Sequence, residues 1–275
     1  MSGNIIHEYM NLNTILVKKF YELTPDDCVT IDNYLLERLI IELEKKDRSG
    51  IYGITQRDFA YNSNRIEGSR LSREHTESLF NTGTIMSHGE IYRAKDIEET
   101  NGHFLMFNLA VKTINDILSE SLIKQFHAAL KQGVFEDRAN GYPIGEYKNR
   151  LNVVWDIETV KPDQVHERMH ELLETYNSSG KCLSDITKFH VEYEKIHPFQ
   201  DGNGRTGRMI LFRECMKNGI IPFVIRDENK DKYTYLLNTA QKTGDFVELT
   251  DYFEEEACVY YEILQKFLKV YESQE

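Results

Sequence analysis

Apolar residues recur along this chain at helical spacing. Ile97, Phe104, Phe107, Val111, Ile114 and Leu118 form one stripe of period 3.6, with Asn101 inside it as an expected buried, hydrogen-bonded amide. Val165, Met169, Leu172 and Tyr176 form a second stripe behind Pro162, a residue suited to a first helical turn. Met209, Phe212, Cys215 and Met216 mark one face of a third helix over 205–217, and the run from Leu249 to Val270 reads as a closing helix. Gly133, Asn140-Gly141-Tyr142-Pro143 and Gly145 mark a long turn between helical stretches. The pattern predicts an all-α chain without repeats, one unit with an N-terminal extension rather than two domains.

Composition narrows the class. A chain of 275 residues with 40% hydrophobic content buries a substantial core and is not disordered. A formal net charge of −12 argues against a broad nucleic-acid surface, which needs basic cover. No apolar run reaches transmembrane length, and Met1-Ser2-Gly3-Asn4 does not open a leader, so neither a membrane partner nor export is expected. Cys28, Cys182, Cys215 and Cys258 are scattered without Cys-x-x-Cys spacing, which suits reduced thiols in a cytoplasm.

The densest chemistry lies in His197-Pro198-Phe199-Gln200-Asp201-Gly202-Asn203-Gly204-Arg205-Thr206-Gly207-Arg208. Gly202 and Gly204 permit backbone angles that let successive N–H groups curl around an anion. The segment feeds the N-terminus of the helix beginning near Arg205, where open N–H groups and the macrodipole favour phosphate. Arg205 and Arg208 add planar donors for phosphate oxygens. Asp201 is an oxygen ligand of the kind Mg²⁺ prefers, and His197 can take a proton near neutral pH. Together these groups describe a nucleotide phosphate site with a general base. Pro198 and Phe199 read as shape, with Phe199 anchoring the loop in the core.

This segment resembles the signature of the Fic (filamentation induced by cyclic AMP) family, His-x-Phe-x-(Asp or Glu)-Gly-Asn-Gly-Arg-x-x-Arg, at every fixed position. The resemblance implies the Fic fold, a helical bundle with a short β-hairpin flap. It also implies transfer of AMP from ATP to a Tyr, Thr or Ser hydroxyl of a target protein or of the chain itself. His197 would be the base, and the segment from Asp201 through Gly202, Asn203, Gly204, Arg205, Thr206 and Gly207 to Arg208 would hold ATP, with Asp201 tethering Mg²⁺. Doc-type kinases of this fold carry Lys in place of the second glycine, and Gly204 favours AMP transfer over phosphorylation.

Ser63-Asn64-Arg65-Ile66-Glu67-Gly68 resembles the family's autoinhibitory motif, with Ser63, Glu67 and Gly68 at its fixed positions. A carboxylate at a helix C-terminus is unfavourably placed in the dipole, so Glu67 needs a cation, and Arg208 is the candidate. Read alone, the hexapeptide is an ordinary helix end. The resemblance extends more loosely over about residues 56–255. Gly145-Glu146-Tyr147-Lys148 and Leu151-Asn152-Val153-Val154 are similar to the segment leading into the family's flap, whose edge aligns the target by strand addition. Val153, Val154 and Trp155 would then touch the nucleotide, largely through backbone, although Trp155-Asp156 stand where many members have glycines. Tyr233 and Gln241 fall where relatives approach adenine, while a helical tyrosine also reads as core. The implied division is an N-terminal region 1–118 with an inhibitory helix at about 56–68, a catalytic core 119–254 and a C-terminal helix 255–275. Homo-oligomerisation is left open, as is removal of AMP assisted by Glu67.

Two other classes compete. His166-Glu167-Arg168-Met169-His170 has the H-E-x-x-H spacing of zinc metalloproteases, with Glu192 or Glu194 on offer as a third ligand. The same helix carries Val165, Met169 and Leu172, which would leave those histidines partly exposed. A nucleotide-binding interaction module without turnover is the third reading, weakened because no catalytic position is lost.

Overall fold

In the computed structural model of the protein, which describes residues 12–85, 89, 91–154 and 157–268, a helical turn at 12–15 precedes eleven α-helices and one hairpin. The N-terminal helices are α1 (Pro25–Lys45), α2 (Ile51–Ile66), α3 (Arg73–Thr82) and α4 (Ala94–Lys112). They are followed by α5 (Glu120–Lys131), the short α6 (Phe135–Ala139), and strands β1 (Val153–Val154) and β2 (Ile157–Glu158). The rest is α7 (Val165–Asn177), α8 (Leu183–Ile196), α9 (Asn203–Lys217), α10 (Lys230–Thr243) and α11 (Val247–Phe267).

Local chemistry accounts for several boundaries. Thr24 and Asp27 exchange side-chain and backbone hydrogen bonds in a capping box at the start of α1, with Pro25 in the first turn. Pro162 opens a single 3₁₀ turn that leads directly into α7. The second helix stops at Glu67, and Gly68 takes the left-handed conformation (φ 86°) that lets the chain turn back. It begins at Ile51, earlier than the motif alone indicated, because apolar Ile51, Tyr52 and Phe59 extend the buried face upstream.

At the centre stands α9, buried on nearly every side and packed against α1, α2, α4, α5 and α8. A helix wrapped this way loses its amphipathic pattern, since every face meets protein. Helix α4 packs closely on α5. At Gly102 a Cβ would overlap the backbone carbonyl of Leu130, so glycine in mid-helix permits this approach. That geometry corrects one expectation: Asn101 is exposed, because Gly102 and His103 take the inward positions. Ile114 and Leu118 are buried as the stripe indicated but lie beyond the end of α4. The closing helix spans Val247–Phe267, and Val270 falls outside the described residues.

The two strands pair antiparallel, Val153 opposite Glu158 and Val154 opposite Ile157. Trp155 and Asp156, between them, lie outside the described residues. No helix among the described residues is long and apolar enough to cross a membrane.

Candidate active site

The segment 197–202 is a tight connection between α8 and α9, held by its own side chains. His197 ends α8 in a left-handed conformation (φ 52°), unusual for a residue with a Cβ, and its N–H reaches the Tyr193 carbonyl at 2.9 Å. Phe199 is fully buried and stacks on His127 with ring centroids 3.9 Å apart. The Asn203 side chain clasps the same residue: Oδ1 accepts from Phe199 N–H at 2.8 Å and Nδ2 donates to its carbonyl at 2.8 Å. Asn203 therefore shapes the loop with its side chain, while its backbone N–H stands at the start of α9.

His127 closes the underside. Its Nδ1 accepts from Gly145 N–H at 2.9 Å, so the neutral ring carries its proton on Nε2 and donates it to the Asp201 carbonyl at 3.0 Å. Burial pushes its pKa down to about 3, in keeping with a neutral imidazole. Gly202 turns the chain into α9 with φ 84°. The first intrahelical bond of α9 runs from Thr206 N–H to the Gly202 carbonyl, and helix geometry leaves the N–H groups of Asn203, Gly204 and Arg205 at its open end. The Thr206 hydroxyl caps the same carbonyl at 2.9 Å.

Over this end lies Glu67. Its Oε1 accepts from Arg208 at 2.8 Å, and a Cβ on Gly204 would overlap that carboxylate, so the glycine makes room for it. Arg208 also donates from Nε to Ser63 Oγ at 3.0 Å and to the Ser63 carbonyl at 2.9 Å. Burial works to raise the Glu67 pKa, but the Arg208 and Arg205 charges outweigh it and hold the carboxyl below its ordinary range. A third of the Glu67 side chain stays open to solvent, while Arg208 is buried.

His197 is 17% exposed, and its Nδ1 lies 4.0 Å from Glu194 Oε2. Burial, with the Lys148 charge nearby, pushes the imidazole pKa down to about 4, so the ring is neutral at pH 7 and can accept a proton. Glu194 is buried and its pKa is pushed up to about 8, against the attraction of Arg208 and with help from Glu67. It stands beside His197 as a protonated carboxyl at neutral pH. Gly207 packs so close that a Cβ would overlap Glu194 Oε1.

Beneath Asp201 lies a charge cluster that the motif did not reveal. Asp201 Oδ2 accepts from Lys131 at 2.9 Å and Lys95 at 3.1 Å, and Oδ1 from Gly202 N–H at 2.7 Å and Arg205 at 3.4 Å. Arg205 is 2% exposed and pairs with Glu99 at 2.5 Å. Its guanidinium also reaches Asn64 Oδ1 at 3.4 Å. It thus braces the site from within rather than standing free for phosphate. Burial would raise the Asp201 pKa, but Arg205, Lys131 and Lys95 hold the carboxyl well below its ordinary range. A signal for the cluster was present: His127 and Lys131 share a face with Leu122, Ile123, Phe126 and Leu130 on α5, where solvated charge has no place.

The base of the flap is tied to the loop by Lys148, whose buried ammonium donates to Asn152 Oδ1 at 2.7 Å and Thr159 Oγ1 at 2.8 Å. Burial pushes its pKa down to about 8. Asn152 Nδ2 donates to the Phe199 carbonyl at 3.0 Å. Val153 and Val154 form β1, so their backbone lies in the hairpin as the resemblance implied. Tyr233 is 3% exposed with its hydroxyl on His190 Nε2 at 2.8 Å, which makes it a wall of the core rather than an open ring face. Gln241 is half-buried, and its backbone carbonyl takes Lys195 at 3.4 Å.

The H-E-x-x-H histidines are elsewhere. His166 and His170 are mostly exposed on α7, where His166 Nδ1 meets Glu120 at 2.7 Å and His170 Nε2 meets Glu174 at 3.4 Å. Glu194 sits by His197, not beside them. Among the described residues, the one group of three acidic or thiol or imidazole ligands within reach of a common point is Glu99, Asp137 and Asp201.

The candidate site is thus a loop feeding the N-terminus of a central helix, with a neutral histidine at its rim and a short hairpin beside it. Residues 117–215 match the model of the Fic/DOC family. The chain is 28% identical over 244 residues to "Protein adenylyltransferase Fic" of Drosophila virilis, covering 81% of this chain and 47% of that protein. To "Protein adenylyltransferase fic-1" of Caenorhabditis elegans it is 23% identical over 188 residues, covering 66% and 36%. It spans less than half the length of these relatives. Among solved structures, a Fic domain containing signalling protein from Bacteroides thetaiotaomicron has the same fold, with TM-score 0.71 at 21% identity over 86% of this chain and 99% of that one. Fic-1 from C. elegans matches with TM-score 0.62 at 19% identity over 87% and 73%.

Proposed function

We propose that the chain is a protein adenylyltransferase that moves AMP from ATP to a hydroxyl of a protein and is restrained by Glu67. The observation that carries the reading is a neutral His197 at the rim of the α9 N-terminus, whose distal cation, Arg208, is taken by Glu67. The relatives named above as adenylyltransferases support it, as does Gly204 in place of the lysine of Doc-type kinases.

In this reading the α-phosphate lies against the open N–H groups of Asn203, Gly204 and Arg205, fixed donors that stabilise developing charge without reorganising. A target hydroxyl loses its proton to His197 as its oxygen bonds to the α-phosphorus, and the bond to the leaving diphosphate breaks. Arg208 holds the terminal phosphate once Glu67 withdraws. Asp201 suits Mg²⁺ by its oxygen donors, its charge and an exposure of 30%, and the ion would offset phosphate charge. The hairpin edge aligns the target segment. A cytoplasmic setting fits four free cysteines.

The test is incubation of the Glu67→Gly protein with ATP labelled in the α- or the γ-phosphate, followed by intact mass. Label from the α-position, a mass gain of one adenylyl group and release of diphosphate are expected. Label from the γ-position alone would make the protein a kinase.

A further inference from the structure

Four donors converge on Asp201, two on each oxygen, and a carboxylate offers about four lone-pair directions. A divalent cation approaching the exposed side of this carboxylate therefore competes with donors already in place.

The four are not equally held. Gly202 N–H is backbone inside the turn, and Arg205 is anchored to Glu99 in the interior. Lys131 is 1% exposed and sits at the centre of Glu99, Asp137 and Asp201 at 2.5, 2.6 and 2.9 Å, the Asp137 contact being an ion pair rather than a well-directed hydrogen bond. These carboxylates are close enough to hold a metal, and the ammonium already fills their common point. Removing it would leave three buried anions facing one another, a large cost in a low dielectric. Lys95 differs. It is 25% exposed, Asp201 is its one contact near 3 Å, and Glu136 Oε1 and Asp137 Oδ1 stand beyond it at 3.6 and 3.7 Å. Its ammonium thus has an alternative seat between two carboxylates, reached by a small side-chain rotation.

We propose that Lys95 is a displaceable cation that keeps the metal position on Asp201 until a divalent ion drives its ammonium onto Glu136 and Asp137. The proposal rests on the adenylyltransferase reading only in taking Asp201 as the metal residue. Charge balance gives the consequence. Lys95, Lys131 and Arg205 face Glu99, Glu136, Asp137 and Asp201, so the cluster carries one negative charge, and a divalent ion alone would reverse its sign. Metal therefore binds weakly by itself and well together with the phosphates of a nucleotide, which restore the balance. Lys95 delays loading of Asp201 until nucleotide arrives, whereas Lys131 is a permanent part of the frame.

The probe is Mn²⁺ without nucleotide, with the free ion measured by electron paramagnetic resonance. Lys95→Met should tighten Mn²⁺ binding about tenfold over the unsubstituted protein, the scale of one part-buried charged contact. Lys95→Gln, which keeps a polar side chain, should tighten it in the same direction and stands in if the Met variant does not fold. Asp201→Asn should abolish the tight binding in either background. Unchanged or weaker Mn²⁺ binding in both Lys95 variants, or tight binding that survives Asp201→Asn, overturns the proposal. The measurement needs neither ATP nor a target, so a failure of AMP transfer would overturn the functional reading and leave this one standing.

Discussion

The Glu67 carboxylate and the Arg208 guanidinium, 141 positions apart in the chain, meet at 2.8 Å across the N-terminus of α9. One end of this pair is exposed and the other is buried, and Ser63 binds the same guanidinium twice. Withdrawal of Glu67 therefore leaves Arg208 oriented by Ser63 and available to an anion. Withdrawal leaves the buried Arg208 charge without its counter-ion, a cost that an anion arriving at the same place offsets.

Glu67→Gly should raise AMP transfer or self-modification by about a hundredfold, the scale of relieving a misplacement near 1 Å at the reacting phosphorus. Arg208→Ala should not raise it, since it removes the partner of Glu67 and the proposed phosphate contact together. The double variant should behave as Arg208→Ala. Initial rates with Mg²⁺ and ATP in excess decide this, and equal rates for Glu67→Gly and the unsubstituted protein would make the contact an ordinary helix end.

His197→Ala in the Glu67→Gly background should cut transfer by about 10² to 10⁴ while leaving the ATP dissociation constant unchanged. In the proposed reaction the imidazole acts on the incoming hydroxyl, and the substitution leaves the N–H groups at the start of α9 untouched. Calorimetric ATP binding beside the transfer rate separates the two effects.

Glu194 supplies a pH dependence of stability. Burial raises its pKa in the folded protein from the ordinary 4.5 to about 8, so between those values the folded state holds a proton that the unfolded state has lost. Stability from this group falls as pH rises through that window and is flat above it. The buried histidines act in the opposite sense: His103, His127 and His190 have pKa values pushed down to about 3, so they cost stability as pH falls below the ordinary histidine range. Glu194→Gln should therefore flatten the loss of stability between pH 6.5 and 8, on the order of 1 kcal/mol per pH unit. Urea unfolding of both proteins at several pH values measures the difference, and parallel profiles would mean that Glu194 is ionised in the fold.

Gly102→Ala should destabilise the protein by about 1–3 kcal/mol, because the added methyl meets the rigid backbone carbonyl of Leu130 rather than a movable side chain. Gly68→Ala meets no atom within 4 Å and should cost about 1 kcal/mol through its left-handed conformation. Thermal unfolding of both variants orders them, and a Gly102→Ala protein as stable as the parent would show that α4 and α5 can separate.

The motif from His197 to Arg208 was legible because its residues are contiguous, and a turn followed by a helix places contiguous residues in one site by local geometry alone. The helical class was legible from the stripes that become α4, α7, α9 and α11. Asn101 shows where periodicity fails: a stripe does not say which residue lies at the closest crossing, and Gly102 takes that place. Arg205 and Arg208 looked alike as phosphate donors. Only packing separates them, since Arg205 is enclosed by Glu99 from α4 and Asp201, while Arg208 faces the exposed Glu67 from α2.

The sequence by itself determined the loop, the helix that follows it and the chemistry they can offer, because hydrogen bonds between near neighbours build them. Tertiary structure alone decided which charges are committed and which are free. Lys95, Glu99, Lys131 and Asp137 come from three helices and meet at Asp201 because α4 lies close against α5 and α9, with α6 alongside. No local pattern encodes that meeting, for the energy of a buried charge depends on what surrounds it in space and not on its neighbours in the chain.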